Sequence, residues 1–284
     1  MSVVSQAIDD AYFTNPETVE FVHKILKEAG WLNGTVLEPC CGEGYLVKGL
    51  DNVTAWDMNQ YEHPLDRVGN FLEQNTGERF DLMITNPPFG KMGQLACDIL
   101  NHGTKFTDRV AIILPQCFRK IQRIDRVNEW FHPVGDYNLP NENYILPDGQ
   151  IKYVRTCFQM WERRDYKRFK FGNRPYTEFF RQVSAEDADY YLRTHGHRAG
   201  LILEGNDLNL NTGRYLKFSN KVNKDLVAKY DWKKIARFAS GAPCFGLHDV
   251  AWALRSPNIE KYLVHGVMYD LINGFYDEKG ATLF

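Results

Sequence analysis

Hydrophobic positions follow two different periods along the first half of the chain, and the two periods alternate. Short apolar runs are typical of buried strands, whereas apolar positions three and four apart are typical of a helix with one buried face. A helix is predicted after Asn15, which can cap it, with Pro16 in its first turn. Its apolar face consists of Val19, Val22, Ile25, Leu26 and Ala29.

The predicted strands are TVLEP, NVTAWD, FDLMITN and RVAIILP, and two more helices are predicted at YLVKGL and QLACDILNHG. This alternation predicts a parallel sheet covered by helices.

The pattern changes in the rest of the chain. A closing pair of strands is predicted around VGDYNLP and VRTCFQMWE, which gives an α/β sheet of about seven strands. Further on, DYYLRT and RAGLIL form a predicted hairpin joined at HGH, GRYLKFSN forms another strand, and residues 224–273 have a helical pattern. We therefore predict an α/β domain at residues 1–165 and a smaller α+β domain at residues 166–284.

The composition excludes several classes of protein. At 284 residues and 44% hydrophobic content, the chain can fill the cores of two such domains. The six cysteines form no CxxC pair, so we expect neither a zinc site nor a disulfide framework. His195 and His197 flank a turn glycine and have no pattern of other metal ligands near them. No apolar stretch reaches the roughly 18 residues of a membrane-spanning helix. We expect a cytoplasmic protein without a metal or a membrane partner.

Charge is distributed unevenly between the two predicted domains. Residues 1–165 carry 16 basic and 23 acidic residues, a net charge of -7, whereas residues 166–284 carry 18 and 13, a net charge of +5. Chance scatter of surface charge would explain the difference. A polyanionic partner that contacts the second half would explain it as well.

Residues 162–181 mix basic and aromatic side chains. In a solvated linker these rings would pack on a neighbouring domain, whereas in a nucleic-acid-binding segment the cations would contact phosphates and the rings would stack on bases. A second basic group follows the strand RVAIILP. The candidate phosphate contacts are Arg119, Lys120, Arg123, Arg163, Arg164, Lys167, Arg168 and Arg174.

The segment VLEPCCGEGYL places a glycine turn directly after a predicted strand. This is where a doubly wound sheet binds a nucleotide-like ligand, and Gly42 and Gly44 would let the backbone approach it. Val47 stands where the dinucleotide fingerprint has its third glycine, and Glu38 would repel a diphosphate. A carboxylate at this position suits an ammonium or sulfonium group instead. Ordinary turn chemistry remains the alternative for such a loop.

Two further segments offer groups for the same ligand. Asp57 ends the next strand, where its carboxylate can accept hydrogen bonds from both hydroxyls of a ribose, although it could equally be a capping aspartate. Met58 offers an apolar surface for a purine, and Asn70 and Phe71 offer an amide and a ring. In this order, the groups converge on S-adenosylmethionine.

The segment ITNPPFG places a rigid turn after the strand FDLM. Proline has no amide hydrogen, so Asn86, Pro87 and Pro88 form a turn rich in acceptors, which suits an NH2 group. If the side-chain oxygen of Asn86 and the carbonyl of Pro87 each accept one hydrogen of an exocyclic amine, its nitrogen lone pair becomes a nucleophile. Phe89 can stack on the ring that carries the amine. An ionised general base is not needed, because the amine becomes acidic once it is methylated.

Together LEPCCGEG, AWD, NFL and ITNPPFG, preceded by YFTNP, resemble the successive motifs of S-adenosylmethionine-dependent N6-adenine DNA methyltransferases. The resemblance covers residues 1–165. It implies a Rossmann-like fold of the class I methyltransferase type, with the cofactor motifs before the catalytic loop and a target recognition domain at residues 166–284. It also implies an orphan or phage-type enzyme in a bacterial or phage-infected cell.

The resemblance assigns roles to the motif residues. Thr14, Glu38, Gly42 and Gly44 would surround the methionine part of the cofactor, Asp57 its ribose, and Asn70 with Phe71 its adenine. Asn86, Pro87, Pro88 and Phe89 would form the catalytic loop. Two departures are present, because Asn70 stands where the family usually has an aspartate, and Cys40 and Cys41 replace other small residues of the glycine loop.

Several substrates remain open at this point. The leading prediction is methylation of adenine N6 in duplex DNA, with the target base flipped out of the helix. An RNA methyltransferase acting on adenine N6 or guanine N2, and a protein methyltransferase acting on a glutamine amide, could use the same turn. A nucleic-acid-binding module that has lost catalysis is a further alternative. The recognition sequence and the oligomeric state do not follow from the sequence.

Overall fold

The computed structural model describes residues 13–140, 143–146, 149–168, 170, 178–203, 208–237 and 242–255. The chain divides into two compact units. The first contains the described residues of Met1–Pro115 and Trp130–Lys167, and the second those of Gln116–Glu129 and Arg168–Phe284. Residues Gln116–Glu129, which the sequence places with the first domain, thus group with the second unit.

A seven-stranded sheet is the centre of the first unit. The strands of this unit, in chain order, are β1 (Phe13–Thr14), β2 (Val36–Glu38), β3 (Val53–Asp57), β4 (Arg67–Val68), β5 (Leu82–Thr85), β6 (Arg109–Pro115), β7 (Phe131–Asn138), β8 (Asn143–Ile145), β9 (Ile151–Tyr153) and β10 (Thr156–Arg163). The sheet has the order β4-β3-β2-β5-β6-β10-β7. The first five strands in this order, from β4 to β6, are parallel to one another. Strand β10 is antiparallel to its two neighbours, β6 and β7. The predicted Rossmann-like sheet is confirmed.

The strand order reverses next to β2. The chain runs from β2 outwards to β3 and β4, then returns to the other side of β2 for β5 and β6. Ligands of such sheets bind outside the carboxyl ends of the strands at this switch point. The residues at the carboxyl ends of β2, β3 and β5 are therefore brought to the edge where a ligand is expected.

Two of the three predicted helices of this unit are confirmed. Helix α1 (Pro16–Glu28) begins where predicted, because the Asn15 side chain accepts a hydrogen bond from the Thr18 amide at 2.9 Å. Helix α2 (Gln94–Gly103) coincides with QLACDILNHG. The helix predicted at YLVKGL is wrong, since only a short 3-10 turn forms at Tyr45–Val47. Lys48 leaves the helical region and Gly49 takes a positive φ of 82°, which ends the turn.

The core of the unit lies between the sheet and α1. The buried face of α1 consists of Thr18, Val22, Ile25 and Leu26. It belongs to one hydrophobic cluster with Leu46 and Val47 of the 3-10 turn and with apolar residues of the central strands. Because the 3-10 turn packs against this cluster, burial of these side chains also holds the glycine loop that joins β2 to the turn.

A separate three-stranded sheet in the same unit has the order β1-β8-β9. Strands β8 and β9 form an antiparallel hairpin, and β1 pairs with β8 so that Thr14 lies opposite Tyr144. This small sheet connects the start of the described chain to a segment that precedes β10 in sequence.

The second unit is a smaller α+β structure. Its strands are β11 (Phe180–Gln182), β12 (Tyr190–Arg193), β13 (Ile202–Leu203) and β14 (Gly213–Phe218), in the antiparallel order β11-β14-β12-β13. Its helices are α3 (Ile121–Ile124), α4 (Lys224–Lys229), α5 (Trp232–Ala236) and α6 (Leu247–Arg255). The predicted β12–β13 hairpin is confirmed, as are helices between residues 224 and 255. The rest of the predicted helical region, residues 256–273, lies outside the described residues.

Within the part of the chain that the structure describes, no helix combines the length and apolar character needed to cross a membrane. The same residues contain no group of histidine, cysteine, aspartate and glutamate side chains arranged to hold a metal ion. All six cysteines are free thiols.

Candidate functional site

A cavity of about 610 Å³ opens at the carboxyl edge of the seven-stranded sheet. This volume is ordinary for a small-molecule site. The sequence-predicted residues that line it are Thr14, Glu38, Cys40, Gly42, Asp57, Met58, Asn70, Phe71, Asn86, Pro87, Pro88 and Phe89. Gly44 is not among the lining residues. Segments far apart in sequence are thus brought to one wall, as expected for the carboxyl ends of neighbouring parallel strands.

The charge of the cavity wall has one sign. Glu38 and Asp57 line the cavity, and no lysine, arginine or histidine is among the described residues that do so. Such a wall disfavours a phosphate-rich ligand, since nothing on it would neutralise the negative charge. It suits a ligand that carries a positive charge.

Glu38 is buried at the end of β2, with 1% of its surface exposed. Burial raises the pKa of its carboxyl from 4.5 to about 8, and the nearby Asp57 carboxylate adds to the rise. The Thr85 side chain and the Cys40 amide, which donates to Glu38 Oε1 at 3.0 Å, offset part of this shift in pKa. Glu38 is therefore mostly protonated near neutral pH, and a cation beside it would favour its ionised form.

Asp57 holds the glycine loop in place. Its Oδ2 accepts a hydrogen bond from the Gly42 amide and its Oδ1 one from the Asn59 amide, both at 2.9 Å. Burial raises the pKa of Asp57, and these amides, with that of Met58, oppose the rise. Each carboxylate oxygen can accept a second hydrogen bond, so the group can serve the loop and a ligand hydroxyl together.

Gly44 supports the loop from outside the cavity. Its φ of 74° favours glycine, and a Cβ there would approach the His63 ring to 2.4 Å. Because only a 3-10 turn follows, the loop does not end in the N-terminus of a long helix. The usual pyrophosphate site of a dinucleotide fold is therefore lacking in the described structure of this loop.

Asn70 and Phe71 differ in how they reach the cavity. The Asn70 side chain caps the 3-10 turn Phe71–Glu73, accepting from the Leu72 amide at 3.1 Å and donating to Glu73 Oε1 at 2.8 Å. Phe71 is 4% exposed and packs against Trp56, Phe106 and His102. Phe71 is thus mainly a core ring. Met58 is the more accessible apolar side chain of the wall, at 52% exposed.

The turn after β5 directs its asparagine by a hydrogen bond. Asn86 Nδ2 donates to Thr14 Oγ1 at 2.9 Å, and Thr14 itself is buried. This contact fixes the rotation of the amide, because the donor end lies towards Thr14 and the acceptor end, Oδ1, lies away from it. Positioned amides of this kind can hold the hydrogens of an amine.

The other residues of the turn also line the cavity. Pro87 is buried, Pro88 is exposed, and Phe89 is half-buried and packs against the hydrophobic core. The Phe89 ring is therefore held in place, and part of it lines the cavity. Burial and the neighbouring carboxylates raise the pKa of the Cys40 thiol, so Cys40 is a neutral group of the wall and not a nucleophile.

Three aromatic residues of the wall were missed from the sequence. Phe13 lies against Tyr45 and Tyr61, with ring centroids 6.0 and 6.3 Å apart, and all three line the cavity. Phe13 adjoins Thr14 in the YFTNP motif, so its position could have been inferred. No pattern in the sequence indicates Tyr61, which lies in the irregular segment between β3 and β4.

The predicted phosphate contacts do not form one set. Arg163 and Arg164 are exposed and accompanied by carboxylates, with Arg163 3.9 Å from Asp108 and Arg164 3.0 Å from Glu162. Lys167 is exposed too, and the cationic groups of Arg163 and Lys167 lie 5.7 and 5.4 Å from the Trp130 ring centroid. These cations are accessible at the surface of the first unit.

The second unit corrects two of these assignments. The Arg168 side chain is 1% exposed and donates to the carbonyls of Ile124 and Val127 at 2.9 and 3.1 Å, so it is a structural residue. Arg119 is buried as well. Lys120 Nζ donates to the Cys244 carbonyl at 2.6 Å. Arg123 is half-buried, and Arg174 lies outside the described residues.

Comparison with known proteins shows likeness at the level of structure. No protein-family model and no curated protein matches the chain. A candidate RNA methyltransferase from Pyrococcus horikoshii is similar over 55% of this chain and 88% of its own, with 15% identity and a TM-score of 0.44. A modification subunit of a candidate type I restriction enzyme from Vibrio vulnificus is similar over 54% and 44%, with 14% identity and a TM-score of 0.39. Magnesium protoporphyrin IX methyltransferase from Synechocystis, with bound S-adenosylmethionine, is similar over 52% and 79%, with 15% identity and a TM-score of 0.40.

These likenesses are remote, and the three proteins are named for different roles. They decide neither the activity nor the substrate of this chain. The Rossmann-like fold of the first unit rests on its own strand order.

Proposed function

We propose that this protein transfers a methyl group from S-adenosylmethionine to the exocyclic N6 amine of adenine in DNA. The observation that carries the proposal is the cavity itself, which is lined both by two buried carboxyl groups, Glu38 and Asp57, and by the Asn86–Phe89 turn. A cationic methyl donor and a neutral amine fit this pairing better than any anionic ligand.

The donor end of the cavity matches S-adenosylmethionine by charge. When bound, this molecule supplies an electrophilic methyl group on a sulfonium, and it also carries an ammonium group. Glu38 would pair with a positive charge, while Asp57 would accept hydrogen bonds from the ribose hydroxyls and keep its contact with the Gly42 amide. The absence of cationic residues from the described cavity wall supports the same assignment.

The target end would hold an amine on a planar ring. Asn86 Oδ1 and the Pro87 carbonyl would accept the two hydrogens of the amine, and Phe89 would stack on the ring. The nitrogen lone pair then forms the bond to the methyl carbon as the carbon–sulfur bond breaks and sulfur keeps the electron pair. The proton leaves the methylated nitrogen for water. The chain thus contributes orientation and desolvation more than acid–base catalysis.

The choice of adenine in DNA follows the resemblance of the motifs. Exposed cations at Arg163, Arg164 and Lys167 support a polyanionic substrate. In a duplex the target base would leave the helix to reach Phe89, at a cost of a few kcal/mol that phosphate contacts would offset. We assign the donor site to the first unit and target recognition to the second, in a cytoplasmic enzyme of an orphan or phage type.

The test is transfer of labelled methyl from S-adenosylmethionine to unmodified DNA, RNA or protein, with identification of the modified group. We expect N6-methyladenine in DNA. Asn86→Ala should lower turnover by roughly 100-fold or more, the usual cost of losing one positioned polar group at a reacting centre. Asn138→Ala is a matched control, because Asn138 ends β7 and is not part of the cavity wall.

Other outcomes discriminate among the alternatives. Label in RNA alone, or on a protein glutamine, would replace DNA by that substrate while leaving the donor site assigned. Failure of the wild-type chain to bind S-adenosylmethionine in calorimetry would overturn the proposal altogether.

A further inference from the structure

One face of the β8–β9 hairpin is apolar and exposed. Ile145 is paired with Ile151 across the hairpin, and Tyr153 lies two residues beyond Ile151 on β9, so these three residues share a face. The exposed fractions are 38% for Ile145, 72% for Ile151 and 63% for Tyr153. Large apolar side chains grouped in this way on a short hairpin are typical of a binding surface.

This hairpin is tied to the candidate active site by direct contacts. Tyr144, on the opposite face, is buried and donates a hydrogen bond from its hydroxyl to Thr156 Oγ1 at 2.8 Å. Tyr144 also lies opposite Thr14 in the β1–β8 pairing, and Thr14 accepts the hydrogen bond of Asn86. Val154, the residue after Tyr153, lines the cavity. The hairpin therefore adjoins the cavity wall at Val154, and its apolar face is the one turned away from Tyr144.

Positive charge accompanies the edge strand β9. Lys152 and Arg155 are both exposed. Lys152 pairs with Tyr144 and so belongs to the face opposite Tyr153, but β9 is the edge strand of this sheet, so a ligand that follows the edge passes both faces. An aromatic side chain between two cations suits a ligand that alternates flat rings with negative charges, which is the chemistry of a nucleic acid strand. An apolar protein partner would gain little from the two cations.

We propose that the β8–β9 face binds the nucleic acid strand that carries the target base. Tyr153 stacks on a base next to the target, Ile151 packs on the same base or its sugar, and Lys152 and Arg155 contact phosphates. The inference rests on the proposed function and adds to it, because it assigns the strand-binding surface to the first unit and gives it residues. It places the flanking base beside the cavity that receives the target.

Binding of a fluorescein-labelled single-stranded DNA oligonucleotide to the full chain, followed by anisotropy, tests the stacking contact. Tyr153→Ala should weaken binding by roughly tenfold, the usual effect of losing one stacked base. Tyr153→Phe should retain most of the affinity. Val68→Ala is the matched control, because Val68 is also an exposed apolar residue, at 54%, and lies on β4 of the seven-stranded sheet.

Salt dependence tests the two cations. The double change Lys152→Ala and Arg155→Ala should lower the slope of log affinity against log salt by about 1.4, at about 0.7 for each phosphate contact to a single strand. The matched control is Lys24→Ala, because Lys24 is exposed on α1.

Crosslinking tests the position of Tyr153. Replacing a thymine next to the target by 5-iodouracil should yield, on irradiation, a crosslink to Tyr153.

The outcomes separate this inference from the proposed function. Calorimetric titration of S-adenosylmethionine should be unchanged by all these variants. If the donor binds and Tyr153→Ala binds DNA as the wild type does, or if crosslinks fall only in the second unit, the inference is overturned and the proposed function stands. If the wild type does not bind the donor, the proposed function fails while the binding measurements still report on the hairpin. If Tyr153→Ala weakened the binding of a glutamine peptide but not that of DNA, the inference would also be overturned.

Discussion

The cavity wall and the β8–β9 face belong to the same unit and adjoin at Val154, yet they have opposite chemistry. The wall is concave and partly buried, and its acidic residues are Glu38 and Asp57, with no basic residue among the described residues that line it. The hairpin face is exposed, and the charged residues next to it, among those that the structure describes, are Lys152 and Arg155. A small cation and a polyanion would thus meet surfaces of complementary charge a few residues apart.

This difference shows that the effect of an ionisable group on stability and on ligand binding depends on its burial. A carboxyl group in the wall loses its hydration, so its pKa rises and its ionisation becomes linked to stability and to ligand binding. The exposed cations of the hairpin keep their hydration, so they affect ligand affinity and salt dependence with little effect on folding. The following predictions test this contrast.

The largest effect is expected for the stability of the ligand-free protein as a function of pH. The folded-state pKa of Glu38 is raised to about 8, so the folded protein holds this proton at pH values where the unfolded chain has lost it. The resulting stability is present in full below pH 4.5, is lost as the pH rises towards about 8, and then stays level. Over this range the free energy of unfolding falls by at most about 1.4 kcal/mol per pH unit.

Chemical denaturation of wild type and Glu38→Gln between pH 5 and pH 9 measures this slope. The difference in free energy of unfolding between the two proteins should change across the range and level off above pH 8. Arg155→Ala should show no such change, because Arg155 is exposed. A constant difference between wild type and Glu38→Gln would mean that Glu38 is not protonated in the folded protein.

The cavity loop and the hairpin turn each contain a glycine with a positive φ, so substitutions at the two glycines can be compared. Gly44 in the cavity loop and Gly149 in the hairpin turn have φ values of 74° and 80°, but a Cβ would meet the His63 ring at 2.4 Å in the first and nothing within 4 Å in the second. Gly149→Ala should therefore cost only the backbone term of about 1–2 kcal/mol. Gly44→Ala should cost about 1–3 kcal/mol more, as an overpacked site does.

Thermal or urea unfolding of both variants gives these values. Adding His63→Ala to Gly44→Ala should recover the steric part and leave the backbone part, so the double variant should resemble Gly149→Ala. Equal losses in the two single variants would show that the His63 ring moves aside, so that the steric contact at Gly44 costs nothing.

The sequence was sufficient for features that depend on local chemistry or on the geometry of parallel sheets. Asn15 and Pro16 defined the start of α1 because capping is local. Glu38, Asp57 and Asn86 could be placed at one site because the carboxyl ends of neighbouring parallel strands share an edge. These rules hold whatever the rest of the chain does.

Features that depend on tertiary packing were not predictable. Nothing in the charge pattern distinguishes Arg168, buried against two carbonyls, from Arg163, which is exposed. The β8–β9 hairpin was not among the predicted strands, because strands of three residues are too short for a period to show. Tyr61 reaches the cavity through a segment without regular structure.

The smallest effect is expected where the two regions are connected. Thr14 pairs with the hairpin through its backbone and accepts the Asn86 hydrogen bond through its hydroxyl, so Thr14→Val keeps the first contact and removes the second. Loss of one hydrogen bond of about 0.5–1.5 kcal/mol should lower kcat up to about tenfold. Strand affinity should stay unchanged, because the backbone pairing of Thr14 with the hairpin is preserved, and Thr14→Ser should restore kcat. If Thr14→Val weakened strand binding and left kcat unaltered, the threonine would serve the hairpin alone, and Asn86 would be held by other contacts.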